Sequence, residues 1–397
     1  AASIVRKANM DITKRRMDTD PQTRLLYSDW FFSLSNVQEF EEGEVECCNR
    51  FEVVEKMRKA DEELQAWIVA DPVRKEKWGE LLSELDRKWS SLDGFLKSET
   101  YARETLIRSS RLGIVCIRLH SNLKNAKNRL VSDIEELDLR VEKDIYRSSL
   151  RLFFENVDSK YWSEFHTALR QQYGNDYESM CNDTWAASLF ESKDKIKAFA
   201  DSDASISDDP VYEFYTSLEM SELNKIEVSL DPTPNRTELG HEYTKALYQM
   251  REEKGIPQYP DANSSMRLTY GTVGGIEPFD AVVCSWASTS KGILEKYDPE
   301  DYDFSLKPEW KEIVGTYDGT VNFITDNDIT GGNSGSAVLN AEGQLVGLAF
   351  DGNKESLASD VYYTPGYNKC VCVDIRYVVF ILRAHHFDRI LSELALD

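Results

Sequence analysis

The segment Thr330-Gly331-Gly332-Asn333-Ser334-Gly335-Ser336 sets a serine among glycines in a run with little side-chain bulk. A nucleophilic serine needs a backbone that presents its hydroxyl and aims amide N–H groups at the oxygen where negative charge develops. Glycines beside it permit the dihedrals such a loop demands. On this reading Ser334 is the candidate nucleophile, and the backbone amides of Gly332 and Ser334 are the candidate oxyanion donors. The bland alternative is a polar turn between two strands, because Gly-Ser turns are common.

The flanking text separates two architectures. A serine elbow of the G-x-S-x-G kind lies between a strand and a helix. Here Ser336 stands where that last glycine would be, and a hairpin follows: Val338-Leu339, the turn Asn340-Ala341-Glu342-Gly343, then Leu345 to Phe350. A glycine-rich serine loop leading into a hairpin resembles the trypsin-like arrangement. There, the strand segment roughly twenty residues after the serine walls the specificity pocket. That puts Phe350, Asp351, Gly352 and Asn353 beside the cleaved bond. The Asp351 carboxylate suits an ammonium group through a charge-assisted hydrogen bond, although Asp-Gly is also a common hairpin dipeptide. Gly352 brings no side chain and leaves the pocket floor open to a large apolar group.

The elements that must position these residues change character along the chain. Up to about residue 200 the text is helical. In Glu52 to Ala70, Val53, Val54, Met57, Leu64, Trp67 and Ile68 recur at three- and four-residue steps, with charges on the other face. Asp71-Pro72 ends that pattern. Further helices are expected over Val73 to Leu92, Glu99 to Tyr146 and Ser148 to Tyr173. Ala200 to Pro210 reads as an acidic loop. More helix runs to about Glu253, interrupted near Pro232 and Pro234. After Gly255-Ile256-Pro257 strands are expected at Met266–Tyr270, Ala281–Ser285, Thr320–Thr325, Ser336–Leu339, Leu345–Phe350 and Cys370–Val373, separated by Gly, Asn and Asp. A helix over Tyr377 to Leu394 closes the chain. The expected class is α+β: a mostly helical cap domain over 1–256, then an antiparallel trypsin-like β-barrel with a C-terminal helix over 257–397.

Composition narrows the partners. With 41% hydrophobic residues the chain can build a sizeable core. Its 70 acidic and 47 basic residues leave a net charge of -23, which argues against a nucleic-acid surface. The seven cysteines include no CxxC pair, so zinc or dithiol redox chemistry has no support and no cofactor or metal is expected. Cys370 and Cys372 fall on one face of a strand, where core packing is the simplest role. No apolar run is long enough to span a membrane. The opening Ala-Ala-Ser suggests a processed or truncated chain.

The sequence resembles the bacterial dipeptidyl peptidases 7 and 11. The likeness is carried by Asn327 to Ser336 and by Gly347-Leu348-Ala349-Phe350-Asp351-Gly352-Asn353. It extends to Asp261–Ser264 with Arg267–Gly271, Glu295–Pro299 and Val373–Val378, and more loosely to Leu64–Pro72. The resemblance implies a double β-barrel of trypsin type with a helical cap, acting as a homodimer in the periplasm or at the cell exterior. The implied reaction is removal of dipeptides from free peptide N-termini. Ser334 matches the nucleophile and Asp351 a carboxylate for the substrate's amino terminus. Gly352 matches the position where acid-specific members carry Arg, which points to the branch preferring an apolar second residue. Asn36 is the best match to a cap asparagine that also holds the amino terminus, though Val37-Gln38 departs from the family's text, as does Ala337 from the family's proline.

The catalytic His and Asp of that family would lie upstream of Ala1, making the upstream half of the protein a partner of this chain. The five histidines, His120, His166, His241, His385 and His386, fall in helical text and read as surface or core residues. Two rival readings are a peptide-binding pseudoprotease without a triad and a trypsin-type endopeptidase. Asp351 and a capping domain disfavour the second.

Overall fold

Apolar spacing and helix caps together produce what the computed structural model contains. It describes all residues except 219–235, 260–264, 302–303 and 397, with only the backbone at 123–126, 128, 236 and 237. The expected break near Pro232 and Pro234 and the stretch Asp261–Ser264 therefore lie outside the described residues. The chain divides into two compact units, 1–42 with 61–257, and 43–60 with 258–397.

The first unit is helical. Its core surrounds helix α1 (Leu139–Asn156), whose buried Val141, Ile145, Tyr146, Leu150, Phe153 and Phe154 keep helical spacing. Phe153 meets Phe214 edge-on at 5.7 Å, and Tyr146 meets Phe214 at 5.3 Å. His166 is fully buried against these rings. Its Nε2 lies 3.1 Å from the Phe214 carbonyl oxygen, and the Ser163 hydroxyl sits 2.8 Å from its Nδ1. Burial pushes its pKa down to about 4, with the Phe214 carbonyl pulling weakly the other way.

Local caps divide helices that periodicity alone joins. The expected helix over Glu99–Tyr146 is instead several. A π-helical turn over Glu104–Arg108 ends at Ser109, and Ser110 then caps a new helix, Arg111–Ser121, by accepting from the Gly113 amide. Asp138 caps α1 by accepting from the Arg140 amide. Arg6 grips Glu104 through two bonds of 2.9 and 2.8 Å in the core, so the turn is fixed by a buried ion pair. Val73–Leu92 likewise splits, into Pro72–Trp78 and Leu81–Arg103, at Gly79-Glu80. Asp71-Pro72 stops one helix and starts the next: Asp71 is extended, as a residue before proline prefers, and accepts from Val73 and Arg74 amides.

The second unit carries the sheets. Strands β1 (Ile276–Phe279) and β2 (Val282–Cys284) form a hairpin. Strands β3 (Ala287–Thr289), β4 (Thr320–Thr325), β5 (Ala337–Leu339), β6 (Leu345–Gly352) and β7 (Cys370–Asp374) form an antiparallel sheet in the order β3-β4-β7-β6-β5. Alternation sets it: Val321, Phe323 and Thr325 of β4 and Cys370, Cys372 and Asp374 of β7 are buried. Cys370 and Cys372 share a core face, their sulfurs 3.6 Å apart, and all seven cysteines are free thiols. The architecture is α+β, a helical part followed by a sheet region.

Two expectations fail here. Met266–Tyr270 forms no strand. Residues 266–270 are exposed, and the chain reaches β4 just after them, where Val273 bridges Thr325 and the Gly274 amide donates to the Ile324 carbonyl at 3.2 Å. The C-terminal helix ends at Ala384 and resumes at Asp388, because His386 takes a left-handed φ of 54° that a helix cannot continue through. Residues 43–60 join this unit through packing that sequence spacing does not reveal. Cys47, Phe51 and Val53 bury against Ala358, and the Arg50 guanidinium donates to the Pro278 carbonyl while lying over the Phe279 ring at 4.2 Å.

Candidate active site

Ser334 occupies an exposed turn between β4 and β5. Gly332 and Gly335 take φ values of 102° and 86°, in the region open to glycine, so the backbone reverses on both sides of the serine. The turn is closed locally: the Asn333 amide donates to the Thr330 carbonyl at 3.2 Å, and the Thr330 amide to Asn333 Oδ1 at 3.0 Å. It is clipped to β6 by the Gly335 amide on the Ala349 carbonyl, 2.7 Å, and the Ala349 amide on the Ser336 carbonyl, 2.9 Å. Among the described residues neither the Gly332 nor the Ser334 amide donates a hydrogen bond within the protein. Both N–H groups are therefore available to an external oxygen.

The register of β6 supplies the other half. Ala349 pairs with Cys372 and Asp351 with Val371, so Phe350 is an extra residue opposite nothing on β7. This bulge frees its carbonyl from the ladder. The Ser334 hydroxyl donates to that carbonyl at 3.2 Å. Asp351 is exposed, with Oδ1 accepting from the Gly352 amide at 2.8 Å. Ser334, Phe350, Asp351 and Gly352 are thus brought together at the C-terminal end of β6. Asn36 is exposed on the helix Pro21–Arg50, within the first unit.

Gly352 differs from a simple opening. A Cβ built there would lie 2.3 Å from the Ser356 hydroxyl, which itself donates to the Asn353 carbonyl at 2.7 Å. The space that the missing side chain leaves is shared with Ser356, a buried residue that spacing gave no reason to single out. Asn353 has a structural part: its Oδ1 accepts from the Lys369 amide at 2.8 Å, and its Nδ2 donates to the Tyr367 carbonyl at 2.9 Å. Asp360 and Tyr363 were also unsignalled. The Thr330 hydroxyl donates to Asp360 Oδ1 at 2.7 Å, and the Tyr363 hydroxyl to the Asp326 carbonyl at 2.9 Å.

Of the histidines in this unit, His385 packs at a tilt against Trp310 with ring centroids 4.0 Å apart. Among the described residues the Ser334 hydroxyl bonds to no histidine or carboxylate. Nor does any group of three or more His, Cys, Asp or Glu side chains among them suit a metal ion. No helix among them is long and apolar enough to cross a membrane.

The comparisons with known proteins agree on one family. Residues 2–396 match Peptidase S46. Dipeptidyl-peptidase 7 of Capnocytophaga gingivalis is 30% identical over 413 residues, which cover 95% of this chain and 56% of that protein. The Asp/Glu-specific dipeptidyl-peptidase of Porphyromonas gingivalis is 25% identical over 424 residues, 98% of this chain and 58% of that protein. The crystal structure of Porphyromonas endodontalis DPP11 in complex with dipeptide Arg-Glu shares the fold, with a TM-score of 0.83 at 23% identity over 99% of this chain and 60% of that one. The chain therefore spans a little over half the length of the relatives it matches. A match over nearly every residue, with the serine turn and the bulged strand inside it, makes this chain a member of the Peptidase S46 family.

Proposed function

We propose that this chain is part of a serine dipeptidyl aminopeptidase that releases dipeptides with an apolar second residue from free peptide N-termini. The observation that carries the reading is the Ser334 turn: a serine hydroxyl between two glycine reversals, two undonated amides beside it, and a carboxylate one residue past its β6 anchor. The Ser334 oxygen attacks the carbonyl carbon of the second residue as its proton passes to a general base. The Gly332 and Ser334 amides stabilise the oxyanion. The C–N bond then breaks, the leaving amine takes the proton, and water hydrolyses the ester. Asp351 holds the substrate ammonium and so fixes the cut after two residues.

The general base and its orienting acid belong, on this proposal, to the half of the protein upstream of Ala1, whose trypsin-like barrel pairs with the sheet of the second unit. The helical part is the cap. Relatives named for dipeptide release support the reaction class, and Gly352 supports an apolar pocket. A homodimer outside the cytoplasm, in the periplasm or at the cell exterior, belongs to the same proposal.

The pseudoprotease reading has one observation in its favour: the Ser334 hydroxyl is bonded to a main-chain carbonyl rather than to a base. The test is turnover of a fluorogenic Xaa-Leu dipeptide by the full-length protein and by its Ser334→Ala variant. Loss of about 10⁴-fold or more supports the enzyme. Binding of free N-terminal peptides with no turnover by either form supports the rival.

A further inference from the structure

The serine turn is suspended rather than packed. A Cβ built on Gly331, Gly332 or Gly335 meets nothing within 4 Å, so no neighbouring atoms restrain the loop sterically at these positions. Hydrogen bonds must hold it. Its C-terminal side is clipped to β6 through Ala349 and Phe350. Its N-terminal side leaves β4 at Asp326 and is held from the connection between β6 and β7: the Tyr363 hydroxyl bonds the Asp326 carbonyl, and Asp360 accepts the Thr330 hydroxyl. Between Thr330 and Ser334 lie two glycines, the residues with most backbone freedom to lose.

The connection itself is anchored. Asn353 staples its two ends through Tyr367 and Lys369. Ala358 is buried, and Leu357, Tyr362 and Tyr367 pack with Cys47, Phe51 and Val53. Thr364 and Asn368 are buried and bonded to each other. One side of the connection is thus core, and the other presents Asp360 and Tyr363 to the serine turn.

We infer that Asp360 is a positioning residue for the nucleophile: through Thr330 it fixes the N-terminal side of the serine turn and so the place of the Ser334 hydroxyl and the two oxyanion amides. The inference rests on the reading of Ser334 given above. Asp360 reaches the reacting atoms only through Thr330, so its loss should act on turnover and not on capture of the substrate ammonium.

The experiment compares steady-state kinetics on a free Xaa-Leu reporter in the full-length protein. Asp360→Ala should lower kcat about tenfold with KM within about threefold, the loss expected for one exposed charge-assisted hydrogen bond. Asp360→Asn keeps an accepting oxygen and should recover to within about threefold of the parent. Thr330→Val should match Asp360→Ala, and the double variant should be no worse than either, since both remove one bond. If Asp360→Ala does not fold, as judged by circular dichroism, Thr330→Val against Thr330→Ser makes the same comparison, because serine keeps the hydroxyl. Parent-like kcat in Asp360→Ala and Thr330→Val, alongside an inactive Ser334→Ala, overturns the positioning role while leaving the serine reading intact. An effect confined to KM, or full additivity in the double variant, also overturns it. Parent-like turnover in Ser334→Ala removes the serine reading, and this inference falls with it.

Discussion

Ser334 donates its hydroxyl to the carbonyl oxygen of Phe350 across 3.2 Å, and Phe350 is the residue that the β6 bulge leaves without a partner on β7. The bulge and the serine turn are therefore one device. A regular ladder would leave that carbonyl competing between strand and serine, and Asp351 and Gly352 would move to the other faces of the strand.

Asp351 stands one residue past that anchor, exposed and with a carboxylate oxygen not engaged by the Gly352 amide. A substrate with a free amine should be cut, and its acetylated counterpart should not. Asp351→Asn should cost about 2–4 kcal/mol of transition-state binding, read as a fall in kcat/KM, since it leaves the ammonium without its counter-charge. Kinetics on paired free and acetylated reporters check this, and equal cleavage of the two would remove the role.

On the proposed reading Gly352 sets the second-residue preference. Leu should be favoured over Asp by at least about a hundredfold, because an unpaired carboxylate costs several kcal/mol to desolvate whereas burying Leu gains about 1.5–3 kcal/mol. Gly352→Arg should narrow that ratio by offering a bidentate partner. The Ser356 hydroxyl lies 2.3 Å from where the new Cβ would sit, so the single change should also destabilise by about 1–3 kcal/mol. Adding Ser356→Ala should restore much of that stability. Paired Leu and Asp reporters with thermal melts read both effects.

His166 should make the helical unit acid-sensitive. Its pKa lies near 4 when folded, against an ordinary value of 6.5. Between those values the unfolded chain binds a proton that the folded chain refuses, so stability present above pH 6.5 is lost as pH falls toward 4, by about 3 kcal/mol. Burial holds the Glu142 carboxyl above its ordinary range, an effect of opposite sign, so the parent alone does not isolate the histidine. His166→Gln should flatten the acid limb of a plot of urea midpoint against pH. An unchanged slope would place the acid sensitivity elsewhere.

Asp209 should be among the costliest surface-proximal residues of the first unit to remove. It caps the helix Pro210–Thr216 through the Val211 and Tyr212 amides, and it also accepts from the Leu189 amide at 2.7 Å and the Ser188 hydroxyl at 2.9 Å. Asp209→Ala should lower unfolding free energy by about 1–3 kcal/mol, with Asp209→Asn between the two. Urea denaturation followed at 222 nm by circular dichroism measures it.

The sequence by itself determined the α+β order, the strands β4 to β7 within about a residue at each start, and the serine turn. These depend on neighbours a few positions away: period-two alternation in Thr320–Thr325, glycine dihedrals around Ser334, and helical spacing in Val53–Val69. Helix breaks at Ser110, Asp138 and His386 were less legible, because a cap competes with an apolar pattern that runs on through it. Only the tertiary structure decided the rest. The Phe350 bulge exists because β7 pairs on both sides of it, Ser356 fills the Gly352 floor through a turn, and Asp360 meets Thr330 from thirty residues away. Residues 43–60 join the sheet-bearing unit through Cys47, Phe51 and Val53, which local spacing reads as ordinary helix faces. Such contacts are set by which surfaces fold against each other, and a pattern of neighbours along the chain carries no record of that.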